Sequence, residues 1–172
     1  TSFSRSQHSF TCVQTNDILS ITGIAPAHAA KVSEGLQQLL ADFQVYYTNL
    51  RGYHWHVRGP QFFTLHAQFE KMYDEAAEHI DEIAERLLQL GATPENRFSQ
   101  YLKKSQIKEQ TEVRQPSDII PQILDSLKTL IAQERKVADL ADEAGDIATS
   151  DLVSDIIDGQ EKSVWMIASL LG

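Results

Sequence analysis

Residues 26–57 read PAHAAKVSEGLQQLLADFQVYYTNLRGYHWHV, and the spacing of their apolar side chains decides the fold. Val32, Leu36, Leu39, Phe43, Tyr46, Leu50, Tyr53 and Val57 follow one another at steps of four and three. Such steps keep side chains on one stripe of an α-helix, the seam of a helix packed in a bundle. Pro26 suits the first helical turn, where its missing N–H costs nothing, and Gly59-Pro60 stops the helix.

Working outward, a second helix is expected over residues 62–90, with His66, Phe69, Tyr73, Ala77, Ile80, Ala84 and Leu87 as its stripe and Gly91 as its C-terminal cap. The short gap makes the two helices antiparallel neighbours. Residues 92–116 form a long connection, with a short helix expected over residues 98–104. A third helix starts near Ser117 or Asp118, places Ile120, Ile123, Leu127, Leu130, Val137, Ala141 and Ala144 on its seam, and ends at Gly145. A fourth, capped by Thr149 or Ser150, carries Val153, Ile156, Gln160, Val164, Ile167 and Leu171. Two hairpins joined by one long connection make an all-α, ferritin-like four-helix bundle with a short helix between its second and third helices. Residues 1–25 are polar, with isolated Phe3, Phe10 and Val13, and are expected to form a surface-hugging tail; residues 26–172 form the bundle domain.

Composition narrows the function classes. Apolar residues at 42% and charged residues at 23% are ordinary for a soluble globular protein, and 172 residues suit one domain. A net charge of -9 argues against a surface that binds nucleic acid or anionic membrane all over, and favours attraction of cations. One cysteine, Cys12, leaves no internal disulfide and fits a reducing compartment, so a cytoplasmic location is expected. No apolar run reaches membrane-spanning length, and residues 1–25 lack the layout of a signal peptide.

The residues that carry chemistry are His54, near the end of the first helix, and His66, Glu70, Asp81 and Glu85 on the second. At about 100° per residue, positions 66, 70, 81 and 85 fall near 0°, 40°, 60° and 100°, a single side of the helix. Singly, a seam histidine is usually hydrogen-bonded core and a helical carboxylate is usually solvated. Together, imidazole and carboxylate suit iron or another first-row divalent metal. Asp74 and Glu78 share that side as solvated or interfacial carboxylates. His79, near 220°, points away, and it reads as a non-ligand, as do His8, His28 and His56.

Helix geometry then constrains the site. At about 1.5 Å per residue, the His66/Glu70 pair lies roughly 16–22 Å from Asp81/Glu85, whereas paired metals sit only about 3.5–4 Å apart. Positions 66 and 85, and likewise 70 and 81, are symmetric about a point between residues 75 and 76. A second copy packed antiparallel on a two-fold axis at that point brings His66 to the partner's Glu85 and Glu70 to the partner's Asp81, giving two equal sites. His54 lies level with His66 across the hairpin and joins it. A metal site inside one bundle normally uses two Glu-x-x-His motifs. The chain has none, and no histidine follows His79, so an intrabundle site is not expected.

These residues resemble the Dps family (DNA-binding protein from starved cells, or mini-ferritin). The likeness rests on His54-Trp55-His56-Val57-Arg58-Gly59, Phe62-Phe63-Thr64-Leu65-His66 and Asp81-Glu82-Ile83-Ala84-Glu85-Arg86, at matching spacing, and on Glu161-Lys162-Ser163-Val164-Trp165-Met166. It covers about residue 30 to the end. The resemblance implies a hollow homododecamer that oxidises Fe²⁺, preferentially with hydrogen peroxide rather than O₂, at two-metal sites between subunits, and stores the ferric mineral. It also implies pores lined from the start of the fourth helix, for which Asp146, Asp151 and Asp155 are the candidates. Where the family usually has aspartate, this chain has Glu70, one methylene longer, which alters metal spacing or admits zinc as an occupant. DNA packing is the other role associated with the family. It draws affinity from repeated cations on a tail, yet residues 1–30 contain Arg5 and no lysine, so tail-mediated DNA binding is not expected.

Overall fold

The computed structural model describes residues 15–172, with side chains from residue 18 onward. Phe3, Arg5, His8, Phe10, Cys12 and Val13 lie outside the described residues. The elements run α1 (Thr15–Thr22), α2 (Pro26–His56), α3 (Phe62–Gln89), α4 (Phe98–Lys104), α5 (Pro116–Ala144) and α6 (Ile147–Ala168), closed by a 3₁₀ turn (Ser169–Leu171). The hairpins α2/α3 and α5/α6 pack together chiefly through α2 and α5. This is the ferritin-like bundle that the apolar spacing predicts, and α4 occupies the expected residues of the connection.

The α2 seam forms as read: Val32, Leu36, Leu39, Phe43, Tyr46, Leu50, Tyr53 and Val57 are all buried. They meet Phe69, Ile83 and Leu87 of α3, Ile123, Leu127, Leu130 and Val137 of α5, and Val153 and Ile156 of α6 in one core. Each such side chain contributes about 1.5–3 kcal/mol on leaving water. The two hairpins come close at Gly35, where an added Cβ would stand 3.0 Å from Val137 Cγ2. Gly145 takes the left-handed conformation (φ 67°) that ends α5.

Three expectations shift. Part of the tail is helical: α1 places Leu19 in the core at 5% exposure, and Gly23 closes the helix with its N–H on the Leu19 carbonyl. One buried leucine in a polar octet carries no periodicity to read. On α3 the core stripe is Leu65, Phe69, Met72, Ala76, Ile83 and Leu87. His66, Tyr73, Ile80 and Ala84 are half-buried and Ala77 is exposed; they lie at the edge of the core, with Tyr73 and Ile80 packed against it. Finally, α6 starts earlier than Thr149 or Ser150: the Asp146 carboxylate accepts the Thr149 N–H at 3.1 Å and is the N-cap. At its far end Leu171 is exposed rather than on the seam.

The long connection is strapped to α2 by polar side chains. The Gln37 amide donates to the Thr93 carbonyl at 2.7 Å and Gln38 to the Lys104 carbonyl at 2.8 Å. Asn49 donates to the Lys108 carbonyl at 2.9 Å and accepts the Gln110 N–H at 3.0 Å. Asp42, fully buried, accepts the Gln106 N–H at 2.6 Å and its side-chain amide at 3.0 Å, with Gln38 and Ser105 also donating. Burial raises the Asp42 pKa, and these hydrogen bonds oppose the rise. Glu134, on α5 between the seam residues Leu130 and Val137, is also fully buried, with the Gln160 side chain as its hydrogen-bonding neighbour. Burial pushes its pKa up to about 8, despite the Gln160 amide beside it and the charge of Arg135.

Asp42→Ala should leave the Gln106 N–H and side-chain amide without their acceptor and lower stability by about 2–4 kcal/mol. Asp42→Asn, which keeps one accepting oxygen, should lose less. Denaturant unfolding of the two variants measures this, and equal losses would show that Asp42 does not hold the connection through these bonds.

Candidate metal centre

The centre is built where α2 ends and α3 begins. The last carbonyls of a helix have no intrahelical partner. His54 lies in the last turn of α2, and its carbonyl accepts the His66 Nδ1–H at 2.8 Å. The bond is returned: His54 Nδ1–H donates to the His66 carbonyl at 2.7 Å. The two rings stack, with centroids 3.7 Å apart and planes 14° from parallel. Phe62, one turn before His66, stacks on its ring at 5.0 Å, and Tyr73 meets His54 edge-on at 5.3 Å. The expected level register of His54 and His66 is present.

The paired bonds decide the chemistry of both rings. A backbone carbonyl only accepts, so the nitrogen facing it must carry a proton. In each neutral ring Nδ1 is then N–H, and Nε2 holds the lone pair, the atom that can ligate a metal. The backbone thus fixes the orientation and tautomer of both rings.

The carboxylates are placed differently. Glu70, one turn beyond His66, is exposed. Desolvation raises the Tyr73 pKa, and the neighbouring charges of Glu70 and Asp74 raise it further, so Glu70 stands in the same neighbourhood as the ring on His54. Asp81 and Glu85 are exposed on the far half of α3. Neither they nor Glu70 make a hydrogen bond or ion pair among the described residues, so all three remain free to bind. Among those residues, no three His, Cys, Asp or Glu side chains of one chain come together to hold a metal ion.

Sequence reasoning put His54 level with His66, which the structure brings together, and missed the residues that support them. Tyr73 read as core, and Phe62 was not singled out; spacings of seven and four from His66 are the signal that marks them as sharing its helix face. Beside them, Arg51 lies over the rings of Tyr47 and Trp55 at 5.3 and 5.1 Å, a cation–π sandwich next to the site. Of the pore candidates, Asp151 and Asp155 are exposed. Asp146 is instead buried at 3% exposure and paired with Arg86 at 2.6 Å, so its charge is spent joining the end of α3 to the start of α6.

Comparisons with known proteins converge. Residues 33–172 match the ferritin-like domain family. A DNA protection during starvation protein of Porphyromonas gingivalis is 51% identical over 152 residues, covering 88% of this chain and 96% of that protein. The crystal structure of a Dps protein from Vibrio cholerae O1, described as a member of a broad superfamily of ferritin-like diiron-carboxylate proteins, aligns with a TM-score of 0.87 at 41% identity. It covers 95% of this chain and 100% of its own. A Dps protein from Bacillus brevis aligns with a TM-score of 0.82 at 36% identity, over 85% of this chain and 98% of its own. No helix among the described residues is long and apolar enough to cross a membrane.

The locked tautomer is open to measurement. In ¹⁵N-labelled, metal-free protein with both rings neutral, long-range ¹H–¹⁵N correlation should give His54 and His66 the Nδ1–H pattern. An Nε2–H pattern in either ring would contradict the paired carbonyl bonds.

Proposed function

The chain belongs to the Dps family of ferritin-like proteins, and from that premise we propose that it is a ferroxidase that oxidises Fe²⁺ at sites shared between two subunits and stores the ferric product. The observation that carries this reading is the division of donors along α3. His54 and His66 present free Nε2 atoms at one end, with Glu70 one turn away, and the unpaired Asp81 and Glu85 occupy the other end.

Fe²⁺ is the substrate. In each site His54, His66 and Glu70 of one subunit face Asp81 and Glu85 of its partner, across a two-fold axis near residues 75–76. Ile80 and Ala84 of α3 are half-buried at the edge of their own core, and their uncovered surface suits that contact. Imidazole nitrogen and carboxylate oxygen bind Fe²⁺ and, more tightly through their negative charge, Fe³⁺. With hydrogen peroxide as oxidant, two Fe²⁺ give one electron each, the O–O bond breaks, and two protons complete two waters. The longer Glu70 reaches further than aspartate from the same backbone position. Such pairs build a hollow dodecamer, and its pores draw Fe²⁺ through the exposed Asp151 and Asp155, which lie one turn apart on α6. DNA packing by residues 1–30 is not part of this reading, because that segment carries one arginine and no lysine.

His66→Ala and Asp81→Ala should each nearly abolish rapid Fe²⁺ oxidation with helix content intact. Refolded together they form heterodimers in which one site lacks both residues and the other is whole, so part of the activity should return. A site contained in one chain could not be restored this way, and lasting inactivity in proven mixtures would overturn the shared site. Separately, duplex DNA at physiological salt should not be retarded in a gel. Tight binding with a steep salt dependence would reveal a basic surface that the net charge conceals.

A further inference from the structure

The lysine and arginine of α3 are both engaged, Lys71 with Glu75 and Arg86 with Asp146. The outward side of that helix carries Glu70, Asp74, Glu78, Asp81 and Glu85, all exposed and none in an ion pair among the described residues. Two such faces meeting across a two-fold axis set like charges against each other, which opposes the contact. Beside them on α2, Arg51 has the converse problem. It is half-buried, makes no hydrogen bond or ion pair among the described residues, and its Nε–H is buried without an acceptor. Tyr47 and Trp55 hold its guanidinium between their rings. Tyr47 meets Tyr73 edge-on at 5.8 Å, and Tyr73 meets His54. The charges of Glu70, Asp74 and Arg51 all act on the Tyr73 phenol, so the three share one neighbourhood.

We propose, on the reading of the site as shared, that Arg51 is the counter-cation of the metal-free site. It holds Glu70 and the partner's Asp81 together until metal displaces it, and so lowers the affinity of the site for metal. The level follows from the hairpin. α2 and α3 run antiparallel with His54 against His66. Arg51 lies one turn before His54 and Glu70 one turn after His66, so the two stand at the same height. The partner's Asp81, which meets Glu70 across the axis, stands there too. A half-buried guanidinium without an acceptor is costly, and its planar fork of N–H donors fits carboxylates. The aromatic sandwich keeps the charge in place without consuming those donors, because cation–π attraction acts through the faces of the guanidinium and leaves its edge free. Guanidinium and metal then compete for the same oxygens, and each weakens the other's hold by the same factor.

The test titrates Zn²⁺ calorimetrically into the assembled, metal-free full chain. Arg51→Gln, which removes the charge, should bind Zn²⁺ about fivefold tighter or more, while its metal-free assembly unfolds at a lower denaturant concentration than wild type. Arg51→Lys, which keeps the charge, should bind closer to wild type than to Arg51→Gln. A side chain that merely packed between the rings could not strengthen metal binding by its loss. Zn²⁺ binding that is unchanged or weaker in Arg51→Gln overturns the proposal, and so does equal tightening in both variants. His66→Ala separates this outcome from failure of the shared site: it should remove the Zn²⁺ binding measured, and binding that survives it strikes the shared-site reading and the role of Arg51 with it. If Arg51→Gln fails to assemble, crystals of the wild-type chain with and without Zn²⁺ decide the matter. The guanidinium should lie on Glu70 or the partner's Asp81 in the metal-free form and off both in the loaded form; one position in both forms overturns the proposal.

Discussion

A continuous α-helix fixes the distance between any two of its residues, and α3 is continuous from Phe62 to Gln89. No side-chain rotation brings Asp81 to His66 within one chain, because each residue adds about 1.5 Å of rise. The donors at the two ends therefore belong to different sites or to different subunits. The same rigidity lets a two-fold axis serve the chemistry, since a straight rod presents identical ends to an antiparallel copy. Everything around α3 keeps it straight and at a set height: the histidine bonds hold its start to α2, and Arg86 holds its end to the cap of α6.

The bundle tolerates a long irregular connection because that connection is bound along its length. Gln37, Gln38, Asp42 and Asn49 lie along α2 and satisfy backbone groups of the connection that would otherwise need water. Asp42 meets the cost of its burial with several donors, whereas Glu134 has one hydrogen-bonding neighbour, Gln160, and a raised pKa that favours the neutral acid. Two fully buried carboxyl groups are thus accommodated differently, one by several donors and one by a raised pKa.

The long helices, the two hairpins and α4 were legible because steps of three and four along a helix report burial directly. Legibility failed where that signal is ambiguous or absent. On α3 apolar residues at the centre of the core and at its edge lie side by side, and periodicity does not say which are buried more deeply. α1 shows one buried leucine, too few for a period. Glu134 fills a seam position on α5, and a charged residue there reads as a gap in the stripe rather than as a buried group. The level register of His54 and His66 was legible from side and spacing. The bonds that hold His54 and His66 were not, since each runs to a backbone carbonyl, and every residue has one.

Those carbonyl bonds have a consequence for exchange. A histidine free to rotate must choose a ring orientation and a tautomer each time it takes up an ion, and that search slows capture and adds an entropic cost. Here both choices are made when the hairpin closes. Each ring therefore presents Nε2 in one orientation and one tautomer without rearrangement of the protein.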